Sequence, residues 1–199
     1  CVFRSNKSKA TILMSHTQHK LPPMDLSERI IRFCEGDVES FQVLYRYYAK
    51  NILRFCVRML NDHAAAQDAL QETFIRVYEH RKECRGENFN AWVYTIARRV
   101  CYNAIRSRKS HDEFNEELHL YQKQQISDFG IQKVIQDALA QLPYVLKEAL
   151  ILREYEGYSY QEIADIIGSD LSLAKVRVHR ARLLLRKILA PVMEEQYDV

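Results

Sequence analysis

Residues 159–187 read SYQEIADIIGSDLSLAKVRVHRARLLLRK, and their spacing predicts a short helix, a tight turn and a longer basic helix. Ser159 with Glu162 three residues on is a capping box, so the first helix begins at about Tyr160. Ile163, Ala164, Ile166 and Ile167 form its apolar side, leaving Gln161, Glu162 and Asp165 for solvent. Gly168 supplies the left-handed conformation a helix end needs, and Asp170 can accept the first free amides of the next helix. In that next helix Ala174, Val178, Ala181 and Leu185 follow the spacing of a packed face. Ser172, Lys175, Val176 and His179 lie on roughly the opposite side, flanked by Arg177, Arg180, Arg182 and Arg186. A scaffold helix followed by an outward helix of short polar and long basic side chains is a helix-turn-helix arrangement, which seats the second helix in the major groove of DNA. A solvated basic face on an ordinary helical hairpin is the alternative.

The remaining composition limits the function classes. With 199 residues the chain can hold one large or two small domains, and only 5 glycines and 4 prolines favour helices over a turn-rich β fold. A net charge of only +3 makes the basic helices local features, too weak to hold DNA tightly by charge alone at physiological salt. Cys1, Cys34, Cys56, Cys84 and Cys101 form no CxxC pair and have no histidines at zinc-ligand spacing, so no metal is expected. Cys34, Cys56 and Cys101 sit in apolar helical patterns as small buried thiols, which suits a reducing cytoplasm. No apolar run is long enough to span a membrane. A Gly-rich phosphate loop and a nucleophile–base motif are both lacking, so the chain is not read as an enzyme and no cofactor is implied.

Upstream, residues 1–23 read as a disordered extension ending in Pro22-Pro23. From Asp25 helices follow one another. Leu26, Ile30, Ile31 and Phe33 form the apolar side of the first, and Gly36 stops it. Asp37 caps a long helix with Phe41, Leu44, Tyr45, Tyr48, Ile52, Phe55 and Met59 along one stripe. Asn61-Asp62 breaks and recaps the chain into a helix that buries Leu70, Phe74 and Val77. Asp68, Gln71, Glu72 and Glu79 lie away from that seam, and taken alone they make a solvated acidic and amide strip.

The stretch His80–Asn90 is polar and loop-like, with Phe89 between two asparagines. In the helix after it, Val93, Ile96, Ala97, Val100 and Ala104 face inward. Trp92, Thr95, Arg98, Arg99, Tyr102, Asn103 and Arg106 spread over the other side, and aromatic and basic residues interleaved in this way suit unpaired nucleic acid. Trp92 can also close the core. Residues 107–130 change to a polar linker, with a little transient helix around Asn115 to Gln122. Helical pattern resumes at Ile131, and after Pro143 a helix from Tyr144 to Glu156 packs through Val145, Ala149, Ile151 and Leu152. The fold class is therefore all-α, with domains at 24–106 and 131–190 and a tail at 191–199.

These motifs together resemble the extracytoplasmic-function subgroup of the sigma-70 family of bacterial RNA polymerase sigma factors. GDVESFQVLYRYY (36–48) leads to DALQETFIRVY (68–78), then FNAWVYTIARR (89–99), then LPYVLKEALILREYEGYSYQEIADIIG (142–168) and KVRVHRAR (175–182), in the family's order. The resemblance covers roughly Asp25 to Leu189. It implies that Asp68, Gln71 and Glu72 dock on the clamp helices of core RNA polymerase, which reverses the solvated reading of that strip. It implies that the loop from Arg85 and the helix after it, through Asn88, Phe89, Asn90, Trp92, Thr95, Arg98, Arg99 and Arg106, recognise and melt the minus-ten element. It implies that Ser172, Lys175, Val176, Arg177, His179, Arg180 and Arg182 read the minus-thirty-five element, and that an anti-sigma factor holds the chain inactive. A stand-alone helix-turn-helix regulator is the alternative function. The family usually has asparagine at Arg99, aspartate at Asn103, and glycine-threonine-valine where this chain has Ser172, Leu173 and Ala174, so promoter sequence does not transfer.

Overall fold

A computed structural model describes residues 26–84, 88–112 and 130–194. Among these residues the secondary structure is helical throughout: α1 (Leu26–Glu35), α2 (Val38–Leu60), α3 (His63–Glu79), a single 3-10 turn (Arg81–Glu83), α4 (Phe89–Asp112), α5 (Ile131–Ala140), α6 (Tyr144–Glu154), α7 (Tyr160–Ile167) and α8 (Leu171–Glu194). The extension 1–23 and the helix around Asn115 to Gln122 lie outside the described residues.

Local chemistry sets the breaks. Gly36 ends α1 at a φ of +104°, where a side chain would be strained, and the Asp37 carboxylate caps α2 through the amides of Glu39 and Ser40. Its hydrogen bonds to Ser40 hold that carboxyl below the usual range. Asn61 turns α2 off in the left-handed region, and Asp62 accepts from the Ala65 amide to start α3. The capping box at Ser159 is complete, with the Glu162 amide donating to Ser159 Oγ and the Ser159 amide to Glu162 Oε2 at 2.8 Å. Gly168 has φ +67°, and Asp170 Oδ1 accepts from the Leu173 amide at 2.7 Å.

The first domain packs α1 to α4 around Phe33, Phe41, Leu44, Ile52, Phe55, Met59, Phe74, Val77 and Val93. The second stacks α6, α7 and α8 around Ile163, Ala174 and Val178, with a smaller cluster of Leu139, Leu142, Leu150 and Ala181 under α5. The two domains are pressed together, and Ile151, Leu152, Tyr158 and Ile166 join one continuous apolar core with the first domain.

That contact explains where the sequence reading departs from the structure. α6 turns Lys147 and Glu148 inward and leaves Val145 exposed, because a face of this helix meets α2 and α4 rather than water. Ile31 is exposed, since Ile30 and Phe33 already fill the side of α1 that faces α2. α4 continues to Asp112, past the boundary placed at 106, and the exposed Arg108 on that added stretch pairs with Asp62 at 2.7 Å. α8 runs to Glu194 through Pro191, whose ring costs one backbone bond near a helix end. Cys56 and Cys101 are buried free thiols, while Cys34 is only partly buried.

Lys147 is 5% exposed and donates from Nζ to the Met59 carbonyl at 3.0 Å. Burial pushes its ammonium down from 10.5 to about 8, with Cys101 acting weakly the other way. Below that value the lysine is charged whether folded or unfolded, and the fold carries the full cost of burying it. Between it and the unfolded value the folded chain sheds its proton first, so this lysine adds stability as pH rises. Cys101, pushed up by its hydrogen bond with Cys56 and by burial, and Tyr144, pushed up by burial, lose stability over an overlapping alkaline range. A comparison with Lys147→Met isolates the lysine. In urea unfolding at pH 7 and pH 10, the stability difference between variant and wild type should move toward the wild type by about 2 kcal/mol. A difference that stays constant would show that the lysine does not titrate in this range.

Candidate nucleic-acid and polymerase surfaces

The outward side of α8 follows from the packing of its inward side. Ala174, Val178 and Ala181 are fully buried against α6 and α7, which leaves Ser172, Lys175, Val176, His179 and Arg180 exposed in its first turns. The two remaining residues expected there are engaged within the protein. Arg177 is half-buried and points at Glu148, 3.9 Å away, and Arg182 Nε donates to Glu154 at 2.9 Å. Arg177, Arg180 and Arg182 were all expected to face DNA, and in the closed chain only Arg180 of the three carries no ion pair to α6. The helix period brings Arg177 and Arg182 round to the α6 side.

At the start of α4, Asn88 adopts φ +51° and its side-chain oxygen accepts from the Ala91 amide at 3.3 Å, which caps the helix. Phe89 was read as part of an open loop. It is instead 3% exposed, edge-on to Phe33 and tilted against Tyr48 and Trp92, and supports the surface from below. Trp92 is half-buried over it, so it does close the core. Asn90 is also half-buried, and Arg85, Gly86 and Glu87 lie outside the described residues. Further along α4, Arg99, Tyr102, Asn103 and Arg106 are exposed.

Thr95 and Arg98 face the second domain. Thr95 Oγ1 donates to the Ala91 carbonyl at 2.9 Å and reaches the Ile166 carbonyl at 3.3 Å. Arg98 forks onto the Glu148 carboxylate, Nε to Oε2 at 2.9 Å and Nη2 to Oε1 at 3.3 Å. Tyr144 donates to the Arg98 carbonyl at 2.7 Å, and Tyr94 donates to Glu156 at 2.5 Å. Burial and then the Glu156 carboxylate push the Tyr94 hydroxyl well above its ordinary range. Glu148, Glu156, Lys147, Tyr94 and Tyr144 were not singled out in the sequence. The one signal was the pair Lys147-Glu148 interrupting the apolar run around it, in VLKEALIL.

On α3, Asp68 and Gln71 are exposed and Glu72 is half-exposed, paired with Arg76 at 2.9 Å one turn on. The strip is thus a rigid, largely solvated edge behind the buried seam of Leu70, Phe74 and Val77.

Family models for sigma-70 region 2 and sigma-70 region 4 match residues 44–111 and 132–185. The RNA polymerase sigma-H factor of Pseudomonas aeruginosa is 33% identical over 186 residues, covering 85% of this chain and 95% of that protein. The chain belongs to the sigma-70 family of RNA polymerase sigma factors, in its extracytoplasmic-function subgroup. Within that subgroup, the sigma-E factor of Haemophilus influenzae is 27% identical over 178 residues, covering 81% of this chain and 94% of its own length. Among solved structures, the sigma factor RpoE of Bartonella quintana in complex with the anti-sigma factor NepR superposes with a TM-score of 0.65. It is 25% identical and covers 76% of this chain and 98% of its own.

In this sigma factor Arg98 and Arg177 share one carboxylate, which is fully buried. Removing one partner of a buried ion pair leaves charge without compensation and costs about 3–5 kcal/mol. Glu148→Gln should therefore destabilise the chain by about that much in chemical unfolding. It should also raise the radius of gyration in small-angle scattering at neutral pH. Unchanged stability together with unchanged scattering would mean that the carboxylate does not hold the domains together.

Proposed function

We propose that this sigma factor binds core RNA polymerase through Asp68, Gln71 and Glu72, and directs initiation at promoters that it reads with two separate surfaces. The first domain, residues 24–106 with the helical extension of α4, would engage the minus-ten element through Asn88, Asn90, Trp92, Thr95, Arg98, Arg99 and Arg106. The second, residues 131–190, would read the minus-thirty-five element through Ser172, Lys175, Val176, His179 and Arg180. The observation that carries the second assignment is the continuous exposed face on the first turns of α8, backed by a capped and fully packed α7. Phosphate contacts from such a helix fix register, while its N-terminal side chains reach base edges.

The closed arrangement bears on order of events. Thr95 and Arg98 are covered by the second domain, so the minus-ten surface is complete only after the domains part. Binding to polymerase, whose clamp would hold the first domain by its opposite edge, is the step that supplies that separation. The likeness to a sigma factor solved with its anti-sigma factor supports an inhibitory partner of the same kind here, one that would compete with core for the Asp68–Glu72 strip or cover α8. The family's usual site, in the cytoplasm beside polymerase, is proposed for this chain too. A stand-alone regulator would have no use for the α3 strip.

Two variants test the two halves. Exchanging Gln71 and Glu72 for lysine leaves the Leu70–Val77 seam intact and removes only an exposed pair with Arg76, worth about 0.3–0.5 kcal/mol. Like charge against a basic partner costs several kcal/mol. The double variant should keep its melting curve yet lose holoenzyme formation and promoter-specific run-off transcription, and holoenzyme of unaltered affinity would remove the docking role. Lys175→Ala should weaken binding to a cognate minus-thirty-five element by about 1–3 kcal/mol and relax sequence preference. Equal losses on cognate and scrambled elements would move Lys175 from base reading to phosphate contact.

A further inference from the structure

Two cysteines of the first domain meet where the end of α1 lies against the 3-10 turn, and neither has a part in the surfaces described so far. Cys34 sits in the last turn of α1, and Cys84 closes the 3-10 turn, its amide donating to the Arg81 carbonyl at 3.2 Å. They lie 50 positions apart in the sequence, yet their thiols are hydrogen-bonded to each other. Both pack on the core of the domain while staying partly open to solvent. Arg81 holds the turn in place. Its guanidinium lies 4.6 Å over the Tyr78 ring, donates to the Tyr78 carbonyl at 2.9 Å and reaches back beside Gly36, just beyond Cys34. Phe33, the residue before Cys34, packs edge-on against Phe89, which in turn tilts against Trp92. Cys56 and Cys101 are a second hydrogen-bonded pair, on α2 and α4, but both are fully enclosed, so an oxidant does not reach them in the folded chain.

We propose that Cys34 and Cys84 are a reversible oxidation site for hydroperoxides, whose disulfide fixes α1 to the 3-10 turn beside the aromatic support of the minus-ten surface. Two thiols already in contact need little backbone movement to reach bonding distance. Burial, and then the Cys84 thiol itself, push Cys34 up to about 12, which makes Cys34 a poor first nucleophile. Cys84 is therefore oxidised first. Its thiol gives up a proton and the thiolate attacks one peroxide oxygen. The S–O bond forms, the O–O bond breaks, and the departing oxygen takes a proton and leaves as water or an alcohol. The Cys84 sulfenic acid no longer offers Cys34 a neighbouring thiol, so that part of the upward push is gone. Cys34 then loses its proton and attacks the Cys84 sulfur. The S–S bond forms, the S–O bond breaks, and the hydroxide leaves with that proton as water. The two electrons that reduce the peroxide come from the two sulfurs. A small thiol such as glutathione reverses the step by exchange. The site stands on the two thiols alone, and only the surface it braces rests on the sigma-factor reading above.

The test treats the reduced full-length chain with hydrogen peroxide, blocks the remaining thiols with iodoacetamide and maps peptides by mass spectrometry without reduction. A link between Cys34 and Cys84 should appear within the monomer, making it lighter by two hydrogen masses, and dithiothreitol should remove it. Cys56 and Cys101 should stay reduced until the chain is unfolded. In Cys34→Ala, dimedone should trap the Cys84 sulfenic acid, whereas in Cys84→Ala labelling of Cys34 should be about tenfold lower. Melting curves check that both variants fold, and the wild-type map decides the matter if they do not. Emission from Trp92, the single tryptophan, should shift on oxidation and return with dithiothreitol. The site is overturned if the link is absent at peroxide concentrations that fully oxidise free cysteine. It is equally overturned if either thiol joins Cys1 or a second chain instead, or if Cys56 and Cys101 link first. Unchanged Trp92 emission in the fully linked chain would overturn the connection to the minus-ten surface. None of these readouts uses polymerase or promoter DNA, so the sigma-factor role stands or falls separately, on holoenzyme assembly.

Discussion

The buried carboxylate of Glu148 is the interaction on which the arrangement of this molecule depends. It is fully enclosed, and it answers two guanidiniums that belong to different domains, Arg98 on α4 and Arg177 on α8. Burying a carboxylate is tolerable only with such partners, because desolvation of an unpaired charge costs several kcal/mol. The bidentate geometry to Arg98 adds direction to the charge pairing. Further contacts between the domains include Lys147 on the end of α2, Tyr144 on the α4 backbone, and Gln136 on the Val57 carbonyl. Several of these end on backbone carbonyls, so the second domain is fitted to the shape of the first as well as to its side chains.

The same contact accounts for what the sequence could and could not disclose. Caps and turns are local, and Asp37, Asn61-Asp62, the Ser159–Glu162 box, Gly168 and Asp170 all act as their neighbours in sequence dictate. Helix faces that meet their own domain were legible for the same reason, down to Ala174, Val178 and Ala181 on α8. The misreadings lie where a side chain answers to residues far along the chain. Val145 was expected in the core and is exposed, while Lys147 and Glu148, to which no role was given, are buried. Their partners are Met59, Arg98 and Arg177, between 29 and 88 positions away. Phe89 was misplaced because two polar neighbours outweighed it locally, although three aromatic rings from α1, α2 and α4 surround it.

The candidate surfaces divide along the same line. A strip such as Asp68, Gln71 and Glu72 is fixed by its own helix and could be located, whereas the role proposed for it comes only from likeness to a family. The α8 face is exposed where expected, but Arg177 turns toward Glu148 and the exposed Arg182 pairs with Glu154, and no local pattern distinguishes either from Arg180. Periodicity alone placed Thr95 and Arg98 on an open side of α4, and that side is open only until α6 and α7 are set against it.

A nearly neutral chain with concentrated basic faces has to deal with its own acids, and here they lie in the second domain opposite those faces. Coulomb attraction of unlike groups is strongest where water is excluded, which is where Glu148 meets Arg98 and where Glu156 meets Tyr94 and Arg58. Any polyanion that takes those arginines must therefore displace an internal carboxylate, and the displaced carboxylate must in turn be rehydrated or find another cation. The energetic threshold for engaging DNA is set by the protein's own ion pairs as much as by its net charge. It would fall when something else pulls the domains apart, because each internal carboxylate would then already be separated from its arginine.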